Sequence, residues 1–218
     1  VGYAGAPPDD DGGDGLTITA SKNIIRYNYI FSAQNNGVLF KIGANSRSDN
    51  NRFYNNTIYK SGRYHNSGLQ WQGYGIRFYS SQMPSVGNVI KNNILYQNTG
   101  GDILNRSYGT YDTSVDNTFS NNWFSVNGDP RFRNPDTSDP NNLNLPDLSL
   151  VSGSGAINKG TYLTRTKGSG LNTTTLVVDD ALYFQDGTWG SSLSNIQADW
   201  IAVGTVDNVV PVSYTHLT

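Results

Sequence analysis

Between Tyr59 and Gly75 the sequence Lys60-Ser-Gly-Arg63-Tyr64-His65-Asn-Ser-Gly-Leu-Gln-Trp71-Gln-Gly-Tyr74 gathers two cations, an imidazole and three large aromatics. Lys60 and Arg63 suit a carboxylate, and His65 is the natural base near neutrality for removing a proton beside one. Tyr64, Trp71 and Tyr74 offer flat apolar faces to sugar rings while their polar edges stay wet. Two plainer readings compete: solvated loop charges, and aromatics that fold the loop back onto its own small core. His216 lies in the C-terminal tail 212–218, outside the expected fold, which leaves His65 as the histidine available for chemistry.

The run that follows, Gly75-Ile-Arg-Phe-Tyr79, alternates as a strand does, with Ile76 and Phe78 on one face and Arg77 and Tyr79 on the other. In Gly37-Val-Leu-Phe-Lys-Ile42 the same register turns Lys41 outward, whereas the face of Asp102 in Gly101-Asp-Ile-Leu-Asn105 reverses with a one-residue slip. The catalytic candidates are therefore Lys60, Arg63, His65 and Arg77. The substrate-binding candidates are Tyr64, Trp71, Tyr74, Tyr79, Lys41 and Asp102. A groove lined by Lys41 and Arg77 suits an anionic polysaccharide, although exposed strand positions are polar in any case. A glycosidase pair would have to come from Asp49, Asp102 or Asp116, and their spacing singles out no pair. Asp9, Asp10, Asp11 and Asp14 are oxygen ligands suited to calcium, but they lack the spacing of an EF-hand loop and read equally as an acidic entry segment. No other cofactor is indicated.

What must position these residues is a repeat. Four segments superpose without a gap: Asn23-Ile-Ile-Arg-Tyr-Asn28-Tyr-Ile-Phe31, Asn51-Arg-Phe-Tyr-Asn-Asn56-Thr-Ile-Tyr59, Asn88-Val-Ile-Lys-Asn-Asn93-Ile-Leu-Tyr96 and Asn117-Thr-Phe-Ser-Asn-Asn122-Trp-Phe-Ser125. Their spacings are 28, 37 and 29 residues, the periods of stacked units that bury apolar surface against neighbours. Ile25, Phe53, Ile90 and Phe119, and five places on Ile30, Ile58, Leu95 and Phe124, form inward columns. Asn recurs at the first and sixth places, as Asn23, Asn51, Asn88 and Asn117 and as Asn28, Asn56, Asn93 and Asn122. A carboxamide donates and accepts, so stacked copies can bond one another and the backbone of a corner. Asn also tolerates the left-handed backbone of a sharp turn. The long spacing places its extra residues in the 60–74 loop, and long loops on rigid scaffolds are where function concentrates.

With two strands flanking each Asn corner and a third after a variable loop, the chain resembles the right-handed parallel β-helix, or pectin-lyase-like, superfamily over about residues 15 to 126. The resemblance implies an all-β coil of three strands per turn, an extracellular or cell-surface location, and polysaccharide as partner. It also implies that the 60–74 loop walls the edge where substrate grooves lie. The chain carries neither the Asp cluster and Arg motif of pectate lyases nor the paired-Asp and Gly-His-Gly motifs of polygalacturonases. The readings left open are a fragment of a lyase or hydrolase acting on an acidic glycan, and a noncatalytic glycan-binding or spacer β-helix.

Residues 1–126 are thus expected to form the coils and 127–161 a closing segment, from Asp129-Pro-Arg-Phe132, Leu143-Asn-Leu145 and Leu148 to Gly160. Asn falls from 23 in residues 1–150 to 4 in 151–218, so 162–211 is expected to be a truncated second β module, with strands at 173–178 and 200–206. Val212 to Thr218 resembles translated sequencing adapter, and the chain is read as a fragment. The remaining composition excludes more than it selects. The absence of cysteine removes disulfides and thiolate chemistry, a charge of −2 without a Lys/Arg run gives no footprint for nucleic acid, and no apolar stretch approaches the roughly 18 residues of a membrane span.

Overall fold

The computed structural model describes residues 13–43, 45–63, 72–80, 83–105, 116–137, 145–168, 175–185, 198–199 and 201. The strands follow one another in coils. β1 (Leu16–Ile18), β2 (Ile24–Arg26) and β3 (Tyr29–Phe31) form the first coil, and β4 (Val38–Ile42), β5 (Arg52–Tyr54) and β6 (Thr57–Tyr59) the second. β7 (Tyr74–Ser80), β8 (Val89–Lys91) and β9 (Ile94–Tyr96) form the third. β10 (Gly101–Leu104) and β11 (Thr118–Ser120) open a fourth, whose last position is a parallel bridge from Trp123 to Ile94. Strands three apart in sequence pair in parallel, giving the sheets β1-β4-β7-β10, β2-β5-β8-β11 and β3-β6-β9. This is a right-handed parallel β-helix, all-β as the repeat predicts.

The interior is built from the expected columns. Phe53, Ile90, Ile30, Ile58 and Leu95 from the second and third sheets meet Val38, Phe40, Ile76 and Phe78 from the first, all with exposures of 0–1%. Phe40 stacks on Phe78 with ring centroids 4.6 Å apart, and Phe119 closes on Phe78 edge-on at 5.9 Å. Such offset and T-shaped pairs add attraction beyond burial alone.

The amide ladder explains why coils so short stay in register. Asn51 Oδ1 accepts from both the backbone N–H and the amide of Asn23 at 2.8 Å; Asn88 does the same for Asn51, and Asn117 for Asn88, at 2.9 Å. The second column, Asn28 to Asn56 to Asn93 to Asn122, repeats this at 2.9–3.1 Å. Amide hydrogens also reach strand carbonyls, as from Asn56 to Ile25 and Tyr54, so the buried corner is satisfied by side chains the repeat supplies. The structure corrects one detail. The left-handed backbone falls on the residue before each ladder Asn, at Tyr27, Asn55, Asn92 and Asn121 (φ 52–57°). It recurs five residues either side, at Lys22, Asn50 and Gly87 and at Ser32, Lys60 and Gln97. A three-residue strand, one left-handed residue and one corner residue therefore make a five-residue edge.

Where the chain enters the first sheet, backbone from successive coils crowds together. A Cβ on Gly37 would lie 2.4 Å from Ile58 Cγ2 and 2.7 Å from the Gly75 carbonyl, so this place admits only glycine. The register continues the column from Gly75 to Asp102, because Tyr74 pairs with Gly101 and Ile76 with Ile103.

Two compact units divide the chain at Thr161/Tyr162. In the first, residues after the coils form the antiparallel pair β12 (Phe132–Asn134) and β13 (Asp147–Leu150). Phe132 and Leu148 pack with Tyr59 in a second apolar cluster bordered by Phe31, Ile94, Tyr96 and Leu150. This part of the expected closing segment thus covers the outer side of the third sheet, whose outward residues are too apolar to face water. In the second unit, the described part holds an antiparallel bridge from Thr166 to Val178 and a 3-10 turn, Ala181–Tyr183, capped by Asp180. Of the strands expected there, the described part of the first (175–178) contributes only that bridge, and residues 173–174, 200 and 202–206 lie outside the described residues, as do 212–218.

Candidate functional site

The sequence candidates fall on two neighbouring parts of the coil. On the outer face of the first sheet Lys41 pairs in register with Tyr79, and the Arg77 guanidinium lies 5.0 Å from the Tyr79 ring centre. Arg77 is only 8% exposed, so it braces this face more than it reaches into solvent. Asp14 precedes β1, and its Oδ1 accepts the Asn36 backbone N–H at 2.9 Å and the Asn36 amide at 3.0 Å. Asn36 Oδ1 in turn accepts the Tyr74 backbone N–H at 3.0 Å. This short second ladder runs in the opposite sense to the corner ladder. Burial pushes the Asp14 carboxyl above its ordinary value, while the two Asn36 bonds and then the Arg77 and Lys41 charges pull it back.

The second part is the turn from the third sheet to the first. Ser32, Lys60 and Gln97 stack there in the left-handed column, and Arg63 is brought alongside because its backbone N–H and that of Gly62 both bond to the Ala33 carbonyl, at 3.1 and 2.9 Å. Together with Thr99 and Thr137 they line an open cleft of about 280 Å³. Lys60 Nζ stands 5.1 Å from the Tyr59 ring centre, so its stem rests on the aromatic column of the third sheet. The described lining is two cations, three hydroxyls and an amide, with no carboxylate among the described residues. Such a set can hold an anion by charge and hydroxyl contacts.

Of the remaining candidates, Tyr64, His65 and Trp71 lie outside the described residues. Tyr74 is half-buried, with its ring against the backbone of Gly101. Asp102 is committed to the fold, because its carboxylate accepts the Ser125 N–H at 2.8 Å and the Ser125 hydroxyl at 2.9 Å, at the 3-10 turn Ser125–Asn127. Asp49 is bonded to Arg47 at 2.5 Å and to the Val86 N–H at 3.0 Å. Asp9, Asp10 and Asp11 are outside the described residues, and among those described no three His, Cys, Asp or Glu gather as a metal site.

One surface has no counterpart among the sequence candidates. At the corner between the second and third sheets, beside β13, Tyr27 and Tyr29 border a groove of about 440 Å³. Its signal is present in the fifth place of the repeat, where Tyr27 stands against Asn55, Asn92 and Asn121.

Among the described residues no helix is long and apolar enough to cross a membrane. No curated protein and no solved structure matches the chain. A family model does: it is described as a protein of unknown function (DUF1565) and matches residues 6–140, the stretch that holds the entire Asn ladder and the cationic cleft's Lys60 and Arg63. Because that match takes in most of the chain and all of its regular coils, the protein belongs to the DUF1565 family.

Proposed function

We propose that this β-helix recognises an acidic polysaccharide at an extracellular or cell-surface location, with Lys60 and Arg63 as the main contacts and Lys41, Tyr79 and the 60–74 loop extending the surface. The supporting observation is the convergence of Lys60 and Arg63 with the hydroxyls of Ser32, Thr99 and Thr137 in a cleft that no acid lines among the described residues. A uronate carboxylate fits both the charge and the hydroxyl pattern, and the resemblance to pectin-lyase-like coils points to the same class.

Binding without turnover is the version favoured by the engagement of Asp49 and Asp102 in structural bonds, since a hydrolase needs two free carboxyls across the scissile bond. The catalytic alternative is a lyase step. Arg63 would neutralise the uronate carboxylate while Lys60 or His65 took the adjacent proton, and the glycosidic oxygen would leave as the double bond formed. Titrating the protein with polyuronates by calorimetry tests binding, and following unsaturated and reducing ends separates the two versions. Replacing both cations, as Lys60→Gln and Arg63→Gln, should weaken polyuronate binding roughly tenfold or more without moving the melting transition. Equal affinity in the double variant refutes the proposal. Repeating the titration with EDTA distinguishes direct contact from a calcium-bridged contact through the acids at residues 9–14.

A further inference from the structure

The groove at the Asn corner differs in kind from the cationic cleft. Its rim is Tyr27, Tyr29, Asn55 and Asn92, its floor Ile94, Leu148 and Leu150, and Thr57 and Ser149 supply hydroxyls. Among the described residues that line it, none is charged. Tyr27 is 70% exposed and Tyr29 47%, in a coil whose other large apolar side chains are largely turned inward.

Tyr27 is the informative residue. It holds φ 57°, a left-handed backbone that Asn adopts readily and a bulky aromatic does not, and the other three coils place Asn55, Asn92 and Asn121 there. The repeat itself therefore prefers Asn at this place, and an aromatic is kept against local preference at an exposed position. Strain of that sort, observed in the backbone, points to use. The ring is also held in place: it meets the Tyr54 ring edge-on at 6.4 Å, and the Arg26 guanidinium lies 5.8 Å from its centre. Tyr54 is in turn fully buried and its hydroxyl accepts from Arg26 at 3.1 Å.

We propose that this corner groove is a binding site for an uncharged oligosaccharide, with Tyr27 and Tyr29 stacking on pyranose faces and the Asn55 amide and Thr57 hydroxyl bonding ring hydroxyls, while the Asn92 amide is held by the Thr161 backbone and the Ser149 hydroxyl by Asp147. The volume falls in the range of small-ligand sites, and the described residues that line it carry no charge, which favours a neutral ligand. The inference stands apart from the acidic-glycan reading, because it uses none of the same residues.

The test is calorimetry and NMR titration of the whole chain with short neutral gluco-, xylo-, manno- and galacto-oligosaccharides. Tyr27→Asn installs the residue the other coils carry, so the fold is kept and the melting temperature should hold or rise while affinity falls roughly tenfold. Tyr29→Ala should weaken the same ligand, and the Lys60→Gln/Arg63→Gln variant should bind it unchanged. Two results overturn the proposal: wild-type protein that binds none of these sugars at millimolar concentration, or a Tyr27→Asn variant that binds as tightly as wild type. Uptake of an apolar dye at Tyr27 without any sugar binding also overturns it, and assigns the groove to protein contact.

Discussion

Two corners of the same coil solve the same problem differently. Between the second and third sheets every coil turns on one left-handed residue and one Asn, and the Asn side chains satisfy the backbone of the coil before them. Between the third and first sheets the equivalent column reads Ala33, Ser61 and Asn98, linked by a bond from the Ser61 N–H to Asn98 Oδ1 at 3.0 Å. A corner sealed by its own repeat has no room for a change of length. The looser one absorbs the long 60–74 loop, and the cationic cleft lies there. Rigidity and chemical variety have been separated onto opposite edges of one ribbon.

The comparison can be broken most forcefully at the sealed corner. Asn56→Leu or Asn93→Leu strands a buried N–H and carbonyls in neighbouring coils and should cost about 1–3 kcal/mol each. Thermal or denaturant unfolding measures it, and an unchanged midpoint removes the ladder from the account of stability. Next in size is the loss of polyuronate binding in Lys60→Gln/Arg63→Gln, which ties the loose corner to function without touching the fold. Asn98→Leu then sharpens the contrast: it strands one N–H where Asn56→Leu strands several groups, so its cost should sit near the bottom of that range, about 1 kcal/mol. If Asn98→Leu costs as much as Asn56→Leu, the two corners are not different in kind.

The smallest effect concerns the reversed ladder. Asp14 has its carboxyl pushed up from 3.8, so the folded state holds its proton more tightly than the unfolded chain. Stability from this group is therefore fully present below that ordinary value and declines as pH rises through the raised one. Asp14→Asn can offer the same acceptor to Asn36 without a charge. It should be slightly more stable than wild type at neutral pH, with the difference shrinking as the solution is acidified through the raised value towards 3.8 and constant below that. A difference that does not depend on pH would show that Asp14 is not tuned by burial.

Much of the scaffold is legible in the chain itself. The columns through Phe53 and Ile58 and the Asn pairs five residues apart follow from spacing alone, because each coil repeats the same contacts. The faces of Arg77 and Tyr79 follow from strand alternation. What is not legible depends on neighbours distant in sequence. The burial of Arg77, the capture of Asp102 by Ser125, and the covering of Tyr59 by Phe132 and Leu148 involve partners that no local pattern marks. The corner groove is hidden for a different reason: a repeat is recognised by where its copies agree, and Tyr27 is the one departure at its place.

By itself the sequence determined a coil of three short strands with its amides in register, since an interaction repeated along a chain leaves a period that can be counted. Only the tertiary structure decided which polar side chains remain open to a ligand. That depends on which carboxylates and cations are spent on the fold's own hydrogen bonds, and those partners are chosen by packing across coils and not by spacing within one.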